Sequence, residues 1–300
     1  MSKEELLQTY FYIEDISGST NTVSITKNNA SAPTLNLEYS TDGSTWTTKT
    51  MNEDTTANTF TLPANGKLYL RGVNDGWCSS SSSIFNSYYN SITATGSHNV
   101  GGNIMSLLYG SEFEGKTTFP TSNSFVLSVL FRENKTLVNA KDLILPATTL
   151  ANSCYYGMFQ GCSKLTTAPE LPATELASNC YHHMFTGCKS LKSIPELPAN
   201  DLTNKCYHGM FMNCDGIDKV SLPEAYLAPY AYSNMFLGSD NLSDVTVTYN
   251  ENVDETNYIG WLDDVSINGV FKYNHTEEVE EKLIRSSYYV PITWGVTKTE

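Results

Sequence analysis

Three consecutive units of 26 residues fill the middle of the chain, and they constrain its fold more than any other feature. They run from Leu145 to Glu170, from Leu171 to Glu196 and from Leu197 to about Ser221. A fixed period of this size implies stacked supersecondary units, each covering the apolar face of the next. Such a chain offers surface rather than a closed pocket. A fourth unit from Leu222 is one residue shorter, and a partial unit around Leu130, Phe131, Leu137 and Ala140 precedes the array. Atypical outer units are expected where a stack must end.

Inside each unit the apolar residues recur four apart: Leu150, Cys154 and Met158; Leu176, Cys180 and Met184; Leu202, Cys206 and Met210; Leu227, Ala231 and Met235. That spacing predicts one face of a short helix. Gly161, Gly187, Asn213 and Gly238 would end it. Short extended pieces are then predicted at Leu165 to Ala168, Leu191 to Ile194, Ile217 to Val220 and Leu242 to Val247. The string Met-Phe-x-Gly-Cys-x-x-Leu resembles the core of the BspA-like (Treponema-type) leucine-rich repeat, over roughly Leu130 to Val247. The resemblance implies a solenoid with one short strand and one short helix per unit.

Six of the seven cysteines lie in two columns of the array. The first reads Cys154, Cys180, Cys206, then Ala231. The second reads Asn134, Cys162, Cys188, Cys214, then Ser239. Disulfides, a metal site and core packing compete as explanations. Exchange among Asn, Cys and Ser suits a small buried group that bonds backbone inside the stack, and fits a disulfide or a metal ligand poorly. Met158, Met184 and Met210 form the large core column. The zinc-like grouping Cys180, His182, His183 and Cys188 lacks the paired two-residue cysteine spacing of zinc modules. A nucleophilic cysteine paired with His182 or His208 has no identifiable orienting Asn or Asp. The expectation is therefore no catalytic residue, no metal and no cofactor. His98 and His275 lie in polar stretches and are expected to be solvated.

The net charge is −14, from 18 basic and 32 acidic residues. Lys and Arg are scattered, which argues against nucleic acid as a partner, since phosphate recognition needs clustered cations. The same sign argues against anionic membranes. No apolar run approaches the length of a bilayer span. The opening Met-Ser-Lys-Glu-Glu-Leu-Leu lacks the apolar stretch of a secretion signal.

Residues 1–120 read as a β-sandwich: alternating segments at Tyr10 to Ile13, Val23 to Thr26, Leu35 to Tyr39, Thr59 to Leu62 and Lys67 to Arg71, with turns at Asp42-Gly43 and Pro63 to Gly66. The string Leu-Glu-Tyr-Ser-Thr-Asp-Gly-Ser-Thr-Trp is similar to N-terminal modules of repeat proteins of Bacteroides-type gut bacteria and their phages. Cys78 to Ser83 reads as a surface loop. Residues 121–248 would be the repeats and 249–300 a small capping segment, with strand-like pieces at Trp261-Leu262 and Val270 to Tyr273 and a helix at Glu277 to Arg285. The whole is an α+β chain of sandwich, solenoid and cap.

The function expected from this reading is that of a non-enzymatic structural protein of a tailed-phage virion, as decoration, fibre or tail component. The N-terminal domain would hold other virion proteins in a multi-copy assembly, and the array would present a surface to a host protein or glycan. Its candidate face is Thr166, Thr167, Lys192, Ser193, Asp218, Lys219, Ser243 and Asp244. Tyr155 and Tyr156 are further candidates for stacking on sugars, with Tyr181 and Tyr207 read as core. The alternatives are a BspA-like adhesin of the bacterial cell surface and a virion-associated glycan hydrolase.

Overall fold

The structure is a computed structural model that describes residues 1–51, 57–79, 88–120, 124–248, 255–274 and 290–299. The fold is rich in β-sheet, with few helices among the described residues. A short helix α1 (Lys3–Leu7) opens the chain, capped by Ser2 and Glu5 in a reciprocal pair of hydrogen bonds that satisfies two orphan N–H groups.

Eight strands follow: β1 (Tyr12–Asp15), β2 (Asn21–Lys27), β3 (Leu37–Ser40), β4 (Thr47–Lys49), β5 (Asn58–Leu62), β6 (Lys67–Arg71), β7 (Asn90–Ala94) and β8 (His98–Asn103). Helix α2 (Ser106–Tyr109) and strand β9 (Leu137–Ile144) come next. One sheet has the order β4-β3-β6-β1-β8-β9, and a smaller one β5-β2-β7. The Asp42-Gly43 turn joins the antiparallel pair β3 and β4. The Pro63 to Gly66 turn instead carries the chain from the small sheet to the large one. Alternation sends Phe11, Ile13, Val23, Ile25, Phe60, Leu62, Leu68 and Leu70 into one core that continues without a break into the 26-residue units.

The helix predicted in each unit is absent. Residues 152–161, 178–187 and 204–213 form ribbons of consecutive turns. Every fourth residue has left-handed φ: Ser153, Gly157 and Gly161; Asn179, His183 and Gly187; Lys205, Gly209 and Asn213. Alternate N–H groups close local turns, as Tyr156 to Ser153 and Met158 to Tyr155. The others donate to the next unit: Tyr155 to Cys180, Gly157 to His182 and Phe159 to Met184, with the same offset from the second unit to the third. The backbone groups of the ribbon are thus shared between its own turns and the units on either side. A four-residue turn and an α-helix both place i and i+4 on one face, which is why the apolar spacing suggested a helix. A left-handed residue at every fourth position rules the helix out.

Two adjacent residues in each four point inward. Tyr155, Tyr181, Tyr207 and Tyr232 are buried and stacked, and so are Phe131, Phe159, Phe185, Phe211 and Phe236. The phenylalanine centroids are 5.2, 5.3, 5.5 and 5.7 Å apart, with planes within 18° of parallel.

The extended pieces predicted at Leu165 to Ala168 and Leu191 to Ile194 are not strands. They link units through isolated contacts: one parallel bridge, with Thr166 N–H to the Val138 carbonyl and Ala140 N–H to the Thr167 carbonyl, and a bond from Lys192 N–H to the Thr166 carbonyl. Strands resume as a parallel sheet of β10 (Lys219–Leu222), β11 (Asp244–Thr248), β12 (Val270–Asn274) and β13 (Gly295–Lys298). The hydrogen-bonding pattern continues past residue 248: Tyr232, Asn234 and Phe236 donate to Asn257, Ile259 and Trp261. Trp261 and Leu262 lie in this ribbon rather than in a strand. At the other end, Trp77 N–H donates to Val126 and Ile92 N–H to Leu130, so the N-terminal sheets take the place of a preceding unit. The helix predicted at Glu277 to Arg285, His275, and most of the serine-rich loop after Cys78 lie outside the described residues.

Candidate functional site

The cysteine columns face the interior. Cys154, Cys162, Cys180, Cys188, Cys206 and Cys214 are buried and unbridged, as are Met158, Met184 and Met210. In the second column each thiol donates to the phenylalanine carbonyl of the preceding unit: Cys162 to Phe131 at 3.0 Å, Cys188 to Phe159 at 3.2 Å and Cys214 to Phe185 at 3.1 Å. Ser239 makes the same bond to Phe211 at 2.9 Å, and Asn134 reaches Ile92 at 3.2 Å. One geometric job explains the exchange of Asn, Cys and Ser. Burial pushes the thiols up, to about 12 at Cys206 and Cys214, so the nucleophilic thiolate is disfavoured.

His98 is not solvated. It is buried in β8, where Asn134 Nδ2 lies 3.1 Å from its Nε2 and its Nδ1 lies 2.9 Å from the Gly96 carbonyl. Its polar neighbours Gly96, Ser97 and Asn99 are half-buried beside the junction with β9, and the imidazole itself is turned inward.

The candidate face is divided. Thr167, Lys192, Ser193, Asp218 and Lys219 are exposed, while Thr166, Ser243 and Asp244 are half-buried. The Thr166 hydroxyl is committed to the Val138 carbonyl at 2.9 Å. Asp244 pairs with Lys272 at 2.8 Å and with Lys219 at 3.6 Å, and the Lys272 hydrogen bond lowers its carboxyl. Along β10, β11 and β12 the outward positions Lys219, Asp244 and Val270 stand side by side. Tyr155 is buried with Tyr181 and Tyr207, so none of the three can stack on a sugar; Tyr156 is half-buried against His182.

The grouping Cys180, His182, His183 and Cys188 does not come together as a ligand set, because the ribbon turns both cysteines inward. The structure instead brings His208, one unit away, to His182 and His183, with one ligand nitrogen from each within 4.8 Å of the others. All three are half-buried. His182 and His208 hold equivalent places in successive units, with ring centroids 4.5 Å apart, and His183 stacks on His182 at 4.3 Å. Neither ring nitrogen of His182 has a hydrogen-bond partner, nor has Nδ1 of His208. Thr186 gives its only hydroxyl proton to the Gly209 carbonyl at 2.7 Å, so it can only accept from His183 Nδ1, 3.0 Å away. That fixes the proton on Nδ1 and leaves His183 Nε2 with a free lone pair.

Burial, then His183, His208 and Lys205, hold the His182 imidazole down to about 2. Burial, His183 and Lys205 hold His208 down to about 4, and burial lowers His183. At neutral pH all three rings are uncharged. The sequence hid this set because 26 residues separate His182 from His208; their shared place in the repeat was the one available signal.

Among the described residues no helix is long and apolar enough to cross a membrane. No family model matches the chain, and neither does any curated protein or solved structure.

Proposed function

We propose that the chain is a non-enzymatic structural and interaction protein of a tailed-phage particle. In this reading an N-terminal β-sandwich attaches it to other virion proteins, a BspA-like leucine-rich-repeat solenoid presents a surface, and the C-terminal segment covers the last unit. The observation that carries it is the contrast between the two sides of the units. Inward columns repeat Cys, Tyr, Met and Phe almost unchanged. The outward pairs change chemistry at each step, from Thr166 and Thr167 to Lys192 and Ser193 to Asp218 and Lys219. Fixed packing beneath variable exposed chemistry is how a repeat scaffold builds a binding surface for a protein or glycan.

Quantitative mass spectrometry of density-purified particles tests the assignment. The expected result is a fixed multiple of copies per particle that co-sediments with capsid or tail. Recovery on the surface of host cells and not in particles would favour the adhesin. Joint substitution of Lys192, Asp218 and Lys219 by alanine is expected to weaken adsorption to host envelope with the melting temperature unchanged, because surface ion pairs contribute about 0–1 kcal/mol.

A further inference from the structure

We propose that His182, His183 and His208 form a binding site for one divalent transition-metal ion of the zinc class, tying two adjacent 26-residue units together on the outer side of the turn ribbon. Three arguments converge on it. The first is donor availability: both nitrogens of His182, Nδ1 of His208 and Nε2 of His183 are free, in a cluster whose ligand atoms lie within 4.8 Å of one another. Metal–nitrogen bonds of about 2.0–2.1 Å in a tetrahedron set nitrogens about 3.3 Å apart, so the set closes when the His182 ring, which no hydrogen bond holds, turns out of its stack on His183. Three imidazoles leave a fourth position for water or a ligand atom.

The second argument is preorganisation. Thr186 fixes the His183 tautomer and is itself held by the Gly209 carbonyl, the arrangement by which an outer hydrogen bond orients a ligating histidine. A Cβ at Gly209 would lie 2.4 Å from His183 Nδ1, so glycine there leaves room for the ring.

The third is that the fold does not require these histidines. Positions equivalent to His182 and His208 hold Tyr156 and Ser233, and those equivalent to His183 hold Gly157, Gly209 and Asn234. Yet the unpartnered nitrogens carry a desolvation cost that nothing else in the described structure offsets. Lys205, whose ammonium lies over Tyr230 at 5.4 Å, is the positive charge felt by the cluster and opposes the ion.

The test is titration of the full, untagged chain with Co²⁺, then competition with Zn²⁺, read by visible absorption and by metal stoichiometry. The expected result is one ion per chain, with d–d bands of a low-coordinate nitrogen site and no thiolate charge-transfer band. His208→Ser and His183→Asn borrow residues native to the same columns, so the fold should stand while affinity falls by more than about tenfold. Lys205→Asn, using the residue found at Asn179, should tighten binding. If either histidine variant melts early, X-ray absorption of the zinc-loaded wild type decides: a nitrogen shell supports the site and a sulfur shell overturns it. No binding at millimolar metal, wild-type affinity in both variants, or thiolate bands would each overturn it.

Discussion

The N-terminal sheets and the turn ribbons bury apolar surface by different local rules. In β2 every second residue faces inward, and the ladder of hydrogen bonds lies wholly between strands. In a ribbon two adjacent residues of each four face inward, and the N–H groups alternate between a local turn and the next unit. A strand asks only for alternation. The ribbon also asks for a left-handed residue at every fourth position, met by Gly157, Gly161, Gly187, Gly209 and Gly238 and by Asn179, Asn213 and Asn234. The sheets therefore draw their specificity from side-chain pattern, whereas the ribbons draw it from pattern and backbone conformation together.

The largest effect should come from the ribbon core. Met184→Ala is expected to cost about 2–5 kcal/mol in urea melts, because its cavity is enclosed by stacked units on both sides. Cys180→Ser should cost much less, since Ala231 shows that the column accepts small residues. Equal losses would mean the columns are misassigned.

Acid should separate the two regions next. In chelator-treated protein the folded state holds His182 down to about 2 and His208 down to about 4, while the unfolded chain takes up those protons near about 6.5. The unfolded state binds more protons, so stability falls as pH drops below about 6.5, down to about 4 for the share of His208 and on to about 2 for that of His182. Asp15 begins to act only at lower pH. Burial raises its carboxyl, but hydrogen bonds from Asn65, Ser17 and Asn21 outweigh that and hold it low. Its contribution is complete above its unfolded value of about 3.9 and is lost as pH falls through its folded one. His182→Tyr should reduce the loss that sets in near about 6.5 and Asp15→Asn the further loss that sets in near about 3.9, followed by acid titration of melting temperature. A common onset for both effects would break the distinction.

The smallest effect isolates backbone conformation. At Gly187 a Cβ meets nothing closer than Gly161 Cα at 3.6 Å, while φ is 74°. Gly187→Ala should cost about 1–2 kcal/mol from left-handed strain alone. Gly187→Asn should recover part of that, because Asn tolerates the conformation. If alanine is neutral, the ribbon's claim on the backbone is weaker than the structure implies.

Much of this was legible in the residues. The 26-residue period, the interior columns and most N-terminal strands follow from apolar spacing. The secondary structure of the units did not, because a period of four fits both a helix and a chain of turns. The glycines and asparagines at Gly157, Gly161, Asn179 and Gly187 carried the deciding signal. Strand β13 was invisible because all four of its residues are exposed. His98 misled because its polar neighbours suggested water, when the ring itself turns inward to Asn134. The histidine cluster required stacking to assemble, and linear spacing says nothing about which side of a unit faces its neighbour.

Through-hydrogen-bond scalar couplings, measured by NMR on the deuterated chain, test the ribbon architecture most directly. The account predicts correlations from the Phe159 amide to the Met184 carbonyl and from the Phe185 amide to the Met210 carbonyl. Correlations from those amides to Tyr155 and Tyr181, four residues back in the same unit, would show helices and contradict it.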